Sequence, residues 1–244
     1  MNIDWVEIPA GEYSLGLTET QIEKICAQIG PDESPWVEKR IRTLACRRVS
    51  LPRFWIARYP ITYAQVKAFQ NELETRPGSD EPENFPAQVT WKTASAFCKW
   101  IGGRLPSADE WLAAAQGPTP HLYPWGDEWN PSRGNFTGYP DQPGYPATAK
   151  GIVFSRATPG DAYPDGVSPF GVWDMAGNLS EWTCTPYRAP MDPNGGYYLV
   201  MGHSVWNAKD NQDLPLWREN ILAKWNVGSV KSPPFYIGFR PVKG

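Results

Sequence analysis

Glycine and proline constrain this chain most, because together they supply about one residue in five. The 244 residues include 22 glycines and 26 prolines, whereas these two types make up about 12% of an average protein. They are spread along the whole sequence and are not gathered in one linker. Both types are unfavourable inside helices and strands, so the sequence predicts short elements joined by many ordered loops.

Aromatic side chains supply the core that such a loop-rich chain needs. The sequence has 13 Trp, 11 Tyr and 9 Phe, and 41% of its residues are hydrophobic, which excludes intrinsic disorder. No apolar run approaches the roughly 18 residues of a membrane span, and the N-terminus lacks the pattern of a signal peptide. We therefore expect a cytoplasmic protein without a membrane span. A net charge of -3 without a basic cluster argues against nucleic-acid binding.

Four short helices are predicted from their capping residues and from apolar residues at helical spacing. The first three are expected to bury an apolar face, and the fourth begins with an S-x-x-E capping box. Gly or Gly-Pro pairs end most of them. The predicted helices are Thr18 to Ile29, Thr62 to about Leu73, Thr90 to Ile101 and Ser107 to Gln116.

Beyond residue 118 the sequence predicts mainly ordered loops. Short strands are expected from Tyr197 to Met201 and from Tyr236 to Val242. No internal repeat and no abrupt change in composition divides the chain. We interpret residues 1–244 as one α+β domain whose second half consists of loops packed by aromatic side chains.

The common catalytic signatures are absent from the sequence. GxSxG, HExxH, GxxxxGK[ST] and GxGxxG do not occur, and the two histidines are too few and too distant for a histidine metal site. A hydrolase, a zinc ribbon and a redox pair are therefore not indicated. Free, buried thiols are expected at the four widely spaced cysteines, Cys26, Cys46, Cys98 and Cys184.

The block SPFGVWDMAGNLSEWT, residues 168–183, carries the side chains best suited to hold a metal ion. Asp174 and Glu181 flank a tight turn at Gly177 and Asn178. Two carboxylates and the carbonyls between them can bind Ca²⁺, a hard cation that takes six to eight oxygen ligands. The alternative is that Asp174 and Asn178 only hydrogen-bond the turn backbone while the neighbouring tryptophans pack.

Several sequence blocks, in their order and spacing, resemble the formylglycine-generating enzyme, or sulfatase-modifying factor, superfamily. They are GGRLPSADEWLAAAQG, YPWGDEWNPSRGNF, SPFGVWDMAGNLSEWT and the terminal IGFRPV. VEIPAGEYSLG and FWIARYPITYAQVKAF resemble the family's N-terminal strand, loop and first helix, so the similarity covers nearly the whole chain. It implies a variant of the α+β C-type lectin fold, with short helices, small twisted antiparallel sheets and much irregular structure.

The resemblance also implies a structural calcium site. In the family one ion is held by the side chains at the positions of Asp174 and Glu181 and by the backbone carbonyls at the positions of Gly177 and Leu179. All four residues are compatible with this role here.

A second calcium of the family has lost a ligand or moved in this chain. The family uses the side chain at Asn135, the carbonyl at Phe136 and an aspartate. The position of that aspartate falls near Ile152, which is not a ligand.

The chain departs from the family at the active centre. The enzymes carry two cysteines five residues apart after a Gly-Gly-Ser segment, because copper-dependent oxidation of a substrate cysteine needs two thiolates on Cu(I). Gly202-His203-Ser204 is the matching segment, and Asn207 and Gln212 stand at the cysteine positions. No cysteine lies between residues 185 and 244, so a small shift in register restores neither thiol. We expect no copper, and the chain does not resemble an active formylglycine-generating enzyme.

Two other branches of the family suggest alternatives. One branch forms sulfoxides in thiohistidine biosynthesis with a helical domain and a three-histidine iron site, neither of which exists here. The other comprises the variable proteins of diversity-generating retroelements, in which adenine-directed mutagenesis rewrites a C-terminal segment that the scaffold presents to ligands. The corresponding interval here is 203–237, and Gly238-Phe239-Arg240 follows it.

Residues 203–237 mix large aromatic side chains with amide and charged ones, without a lasting period of 2 or 3.6. Recognition surfaces favour this mixture, because Trp and Arg contribute much of the binding energy at interfaces. The alternative is that each tryptophan belongs to the scaffold core. The candidate ligand-binding residues are Val205, Trp206, Asn207, Lys209, Asp210, Asn211, Gln212, Leu214, Leu216, Trp217, Arg218, Trp225 and Asn226.

The leading hypothesis is a non-catalytic protein that binds an unknown protein or small molecule at its C-terminal face, as a retroelement variable protein does. One alternative is an oxidase or other modifying enzyme that reuses the family cleft with a different cofactor. Another is a silent structural partner domain.

Overall fold

The computed structural model describes residues 2–27, 39, 41–69, 82–136, 157–189, 192–202, 226–229 and 237–244. The secondary structure within these ranges is short, as the glycine and proline content predicts. Its elements are β1 (Trp5–Ile8), β2 (Gly11–Leu15), α1 (Glu19–Cys26), β3 (Arg47–Leu51), β4 (Phe54–Ala57), α2 (Tyr63–Ala68), α3 (Trp91–Trp100), α4 (Ala108–Gln116), β5 (Ser180–Ala189), β6 (Asp192–Met201), β7 (Asn226–Ser229), β8 (Ile237–Gly238) and β9 (Val242–Lys243).

The four helices begin at the residues that their capping signals predict. Thr18, Thr62, Thr90 and Ser107 each accept a hydrogen bond from the backbone N–H three residues further on. In α1, α2 and α4 the side chain of the third helical residue also accepts a hydrogen bond from the backbone N–H of the capping residue, which completes a capping box. Helix α1 ends at Cys26, before its predicted end at Ile29. Ile29 and Leu73, the predicted ends of the first and second helices, both lie outside the described residues.

Three small sheets organise the described strands. One has the order β1-β4-β9, a second pairs β2 with β3, and the third has the order β7-β6-β5-β8. All pairings are antiparallel except that of β5 with β8. The first sheet brings the N-terminal strand and the C-terminal strand to either side of β4.

The two strand predictions had different outcomes. The strand expected from Tyr197 to Met201 is confirmed as part of β6. The single strand expected from Tyr236 to Val242 is wrong, because β8 and β9 belong to different sheets. Between them the carbonyls of Phe239 and Pro241 accept hydrogen bonds from Ile61 and Ala57, and Pro241 has no N–H with which to continue a ladder.

The buried side chains form two clusters. One lies around the paired strands β2 and β3, α1 and α4, and it includes Trp111 at 1% exposure. The other lies around α2, α3 and the large sheet, where Phe97 packs edge-on against Phe239. Phe97 is 0% exposed, which confirms the apolar face predicted for the third helix.

The cysteines are free, as expected, but most are not fully buried. Cys98 is buried, whereas Cys46 and Cys184 are exposed and Cys26 is intermediate. The expectation of buried thiols is therefore wrong for the two exposed residues. Cys46 lies directly before β3, and Cys184 lies within β5.

In the ranges that the structure describes, none of the helices has the length and apolar character needed to cross a lipid bilayer.

Candidate functional site

The turn that leads into β5 has an unusual backbone. Asp174, Gly177 and Asn178 all have positive φ angles, of 61°, 86° and 58°. At Gly177 a Cβ atom would lie 2.8 Å from the carbonyl oxygen of Asn135, so only glycine fits. Asp and Asn tolerate this region better than other residues because their side chains bond locally. The sequence D-x-x-G-N therefore specifies this turn.

The buried Asn178 side chain ties this turn to two other loops. Its Nδ2 donates to Asp174 Oδ2 at 2.6 Å and to the Thr158 carbonyl at 3.0 Å. Its Oδ1 accepts from the Thr158 N–H at 3.0 Å and from Asn135 Nδ2 at 3.2 Å. The alternative to a metal was that Asp174 and Asn178 bond the turn backbone. The described bonds of the Asn178 side chain go to the Asp174 side chain, to Thr158 and to Asn135.

Asp174 is a buried carboxyl group with little compensation for its charge. Burial raises its pKa from 3.8 to about 8, against the opposing effects of the Asn178 hydrogen bond and the Arg240 charge. The carboxylates of Glu181 and Asp161 raise the pKa further. Within the described residues no cationic side chain forms an ion pair with Asp174. Near neutral pH the group therefore needs either a proton or a nearby cation.

Glu181, the other predicted carboxylate, is paired with Arg240 in the interior. Arg240 Nη2 donates to Oε1 at 2.6 Å and Arg240 Nε donates to Oε2 at 2.7 Å. The Trp111 indole N–H donates to Oε2 at 2.8 Å. The side chains of Arg240 and Glu181 are 0% and 1% exposed, so this is a fully buried, bidentate ion pair.

The other guanidinium protons of Arg240 bind backbone carbonyls. Nη1 donates to the carbonyls of Ala57 and Arg58, both at 3.2 Å, and Nη2 also donates to the Trp173 carbonyl at 2.9 Å. All five N–H donors of the guanidinium thus have partners. Arg240 joins the C-terminal tail to β4, to β5 and to the loop before Asp174.

These residues fit a calcium ion in part. Glu181 Oε2 accepts two hydrogen bonds but Oε1 accepts one from a described donor, and a carboxylate oxygen can accept two. Glu181 Oε1 and the carboxyl group of the buried Asp174 can therefore serve as oxygen ligands. The backbone carbonyls of Gly177 and Leu179 lie between these two residues in the sequence. No cluster of three or more His, Cys, Asp or Glu side chains suited to a metal occurs in the described ranges, so carbonyls must complete the site. The calcium ion stays a prediction.

Asn135, assigned by the resemblance to the second calcium, is buried at 1% exposure. Its Nδ2 lies within hydrogen-bond distance of both Asn178 and Thr158. Phe136 is buried beside it, and the region around Ile152 lies outside the described residues.

Of the predicted binding segment 203–237, the structure describes residues 226–229 and Ile237. Residues 203–225, which hold every candidate from Val205 to Trp225 and both former cysteine positions, lie outside the described residues. Asn226 is the first residue of β7 and pairs with Val200 in β6. Ile237 pairs with Ser180 in β5. The strand before the segment, β6, and the strand in which it ends, β8, both pair with β5.

Sequence reasoning did not identify Arg240 and Trp111 as members of this site. Trp111 follows its capping box as an ordinary core residue, and its partner is 70 positions away. A signal for Arg240 did exist, because it is the sole charged residue in the apolar run Tyr-Ile-Gly-Phe-Arg-Pro-Val. A charge in such a run indicates a buried ion pair.

Comparison with known proteins places the chain among recognised relatives. The family described as "Sulfatase-modifying factor enzyme 1-like domain" matches residues 1–243. The serine/threonine-protein kinase pkn1 of Chlamydia caviae is 28% identical over 221 residues, which cover 85% of this chain and 31% of the kinase. The inactive C-alpha-formylglycine-generating enzyme 2 of Bos taurus is 33% identical over 158 residues, covering 63% of this chain and 48% of that protein. The chain spans less than half the length of both relatives.

The fold is shared with a protein of known structure. Treponema denticola variable protein 1 superposes with a TM-score of 0.66 at 16% identity, covering 99% of this chain and 95% of that chain. The α+β fold with small antiparallel sheets that the resemblance implied is thereby confirmed. With a family match over residues 1–243, the chain belongs to the sulfatase-modifying factor family, the superfamily of formylglycine-generating enzymes.

Proposed function

We propose that this chain is a non-catalytic, ligand-binding member of the family and acts as the variable protein of a diversity-generating retroelement. The observation that carries the proposal is that Asn207 and Gln212 stand where the family enzymes have two cysteines. An amide side chain does not supply the soft thiolate that Cu(I) prefers. Copper is therefore not part of the proposal.

The scaffold around the proposed binding face supports this assignment. Glu181 in β5 pairs with Met201 in β6 and with Gly238 in β8. Met201 lies two residues before segment 203–237, and Gly238 lies directly after it. The buried ion pair of Glu181 and Arg240 thus lies beside the strands from which the segment leaves and to which it returns. Rigid scaffolds with such fixed loop ends are a common way to present binding residues.

The names of two similar proteins are compatible with binding in place of catalysis. The bovine protein that is 33% identical to this chain is named as inactive, so loss of the enzymatic activity has a precedent in the family. The Treponema protein that shares the fold is named as a variable protein. The proposed ligand is a protein or a small molecule that contacts residues 203–237.

We further propose that one Ca²⁺ braces the loop beside this face. Asp174, Glu181 and the carbonyls of Gly177 and Leu179 would hold the ion. Its charge would neutralise the buried Asp174 carboxylate, whose environment otherwise favours a proton.

The absence of catalysis is tested with copper, oxygen and a cysteine-containing sulfatase peptide. The protein is expected to bind no Cu(I) at the segment and to form no formylglycine above background, as measured by mass spectrometry. The matched control is the double variant Asn207→Cys/Gln212→Cys, which is expected to gain Cu(I) affinity. Formylglycine produced by the unaltered protein would overturn the proposal.

The retroelement assignment is tested in the source genome. The gene is expected near a reverse transcriptase and a template repeat that differs from the codons for residues 203–237 only at adenines. If neither is present, the retroelement assignment is wrong, although a fixed ligand-binding function would remain open to the binding test below.

A further inference from the structure

A ligand-sized cavity lies on the other side of β6 from the second core cluster. Its volume is about 360 Å³, and its walls are mainly five apolar side chains: Leu15, Leu44, Leu112, Leu199 and Met201. Protein interiors normally leave few voids larger than a water molecule, whereas small-molecule sites begin at roughly 300 Å³. The cavity is thus larger than an ordinary packing void, and its volume lies at the lower end of the range for small-molecule sites.

Hydrogen bonds at both ends of α4 hold this cavity open. At the C-terminal end the fully buried Gln116 side chain accepts from the Gly16 N–H at 3.1 Å and donates to the Gly16 carbonyl at 3.0 Å. At the N-terminal end the Ala108 N–H donates to Thr185 Oγ1 at 2.8 Å. The helix is therefore fixed to β2 and to β5, and it cannot collapse onto the cavity without breaking buried hydrogen bonds.

The β2–β3 side of the cavity is also fixed. Leu17 and Leu44 are joined by a backbone hydrogen bond of 2.8 Å, and so are Cys46 and Leu17. Gly16 has a φ of +121°, and a Cβ atom there would lie 2.6 Å from the Leu44 carbonyl oxygen. The chain can make this close approach at Gly16 only because the residue has no side chain.

The polar groups at the cavity are electrically balanced. Arg47 and Asp109 line it and form an ion pair with each other. Thr185 also lines it, and among the described residues its hydroxyl accepts a bond from Ala108 without donating one. A charged ligand head would gain no net opposite charge here and would lose hydration. A neutral head that accepts a hydrogen bond matches these groups.

We infer that this cavity binds an uncharged, amphipathic small molecule, with an aliphatic or aromatic body against the five apolar side chains and a hydroxyl or carbonyl head near Thr185. A cavity of 150 Å³ accommodates benzene, so this one holds about 14 non-hydrogen atoms by the same ratio. The described residues that line it lie in the ranges 15–16, 43–47, 108–112, 185 and 199–201.

The test is calorimetric titration of the intact chain with 4-alkylphenols of increasing chain length. Affinity is expected to rise about fourfold per methylene and to stop rising near 4-heptylphenol, which has the atom count estimated above. The corresponding 4-alkylbenzoates are expected to bind at least tenfold more weakly. Lack of binding by every phenol, a rise without a length limit, or equal binding of the benzoates would overturn the inference.

Two cavity-filling variants locate the binding. Leu199→Phe fills the wall and Ala108→Leu fills the mouth, and each is expected to weaken 4-heptylphenol binding at least tenfold without lowering the melting temperature. The matched control is Leu105→Phe in the other core cluster, which is expected to lower the melting temperature and to leave phenol binding unchanged. If one filling variant does not fold, the other and the length series still decide. Unchanged binding in a folded filling variant would contradict the assignment.

Discussion

Among single residues, Asp174 is the buried carboxyl group whose charge is least compensated in the described structure. It is buried, its backbone is left-handed, and its hydrogen bond comes from the neutral amide of Asn178. Glu181, seven residues later, is balanced by Arg240. Two carboxylates that the sequence assigned to one metal site therefore have different electrostatic environments, and Asp174 is the one whose charge a calcium ion would neutralise.

The pH dependence of stability tests this difference. The folded-state pKa of Asp174 is raised to about 8, so the folded protein keeps a proton that the unfolded chain releases near pH 4. In chelator, the free energy of unfolding is therefore expected to fall as the pH rises from about 4 to 8. Added Ca²⁺ is expected to restore about 2.7 kcal/mol at pH 8 when its free concentration is 100 times Kd.

The control for this experiment is Asp174→Asn, which keeps the shape and a carbonyl acceptor for Asn178. Urea denaturation of this variant is expected to show neither the fall with pH nor the response to calcium. A pH-independent wild type that ignores both calcium and chelator would contradict the calcium proposal.

At the scale of elements, Arg240 connects parts of the chain that are distant in sequence. Its guanidinium donates hydrogen bonds to β4, to β5 and to the Trp173 carbonyl. Glu181, which accepts two of these bonds, also accepts one from the Trp111 indole N–H in α4. Breaking a buried pair by removing one partner leaves an uncompensated buried charge. The described structure thus depends on this pair more than on its exposed ion pairs.

Arg240→Met measures that dependence. The substitution is expected to lower the free energy of unfolding by about 3–5 kcal/mol, because Glu181 stays buried without a cation. Lys67→Met, which breaks the exposed pair with Glu83, is expected to cost at most about 1 kcal/mol. The double variant Arg240→Met/Glu181→Gln is expected to be more stable than Arg240→Met alone. Equal costs for the two single variants, measured by urea denaturation, would contradict this role.

The sequence predicts those structural features that depend on contacts between nearby residues. Each helix start was predictable because Thr18, Thr62, Thr90 and Ser107 bond a residue three positions away. The division of residues 236–242 between two sheets was not, because tertiary partners such as Ile61 decide it. The ion pair of Glu181 and Arg240 spans 59 positions, and neither periodicity nor spacing encodes a contact of that range. The family resemblance supplied the fold, but not this pair.

Across the whole molecule, we propose a division of labour between a folded scaffold and a segment that it presents. The scaffold comprises two core clusters and three small sheets, and in the largest sheet Val200 of β6 pairs with Asn226 of the adjacent strand β7. Segment 203–237 is proposed to carry the ligand contacts. The side chains of residues 203–225, before β7, should therefore be replaceable at little cost to the scaffold.

The most direct measurement is urea denaturation of a variant in which Asn207, Lys209, Asp210 and Gln212 are replaced together by serine, beside the core variant Phe97→Ala. The quadruple variant is expected to lose no more than about 2 kcal/mol, because each surface change usually costs within ~0.5 kcal/mol. Phe97→Ala is expected to lose about 3–5 kcal/mol. The quadruple variant should also lose binding to a partner captured by the unaltered protein. If it unfolds, or if it keeps that binding unchanged, segment 203–237 is not the binding face.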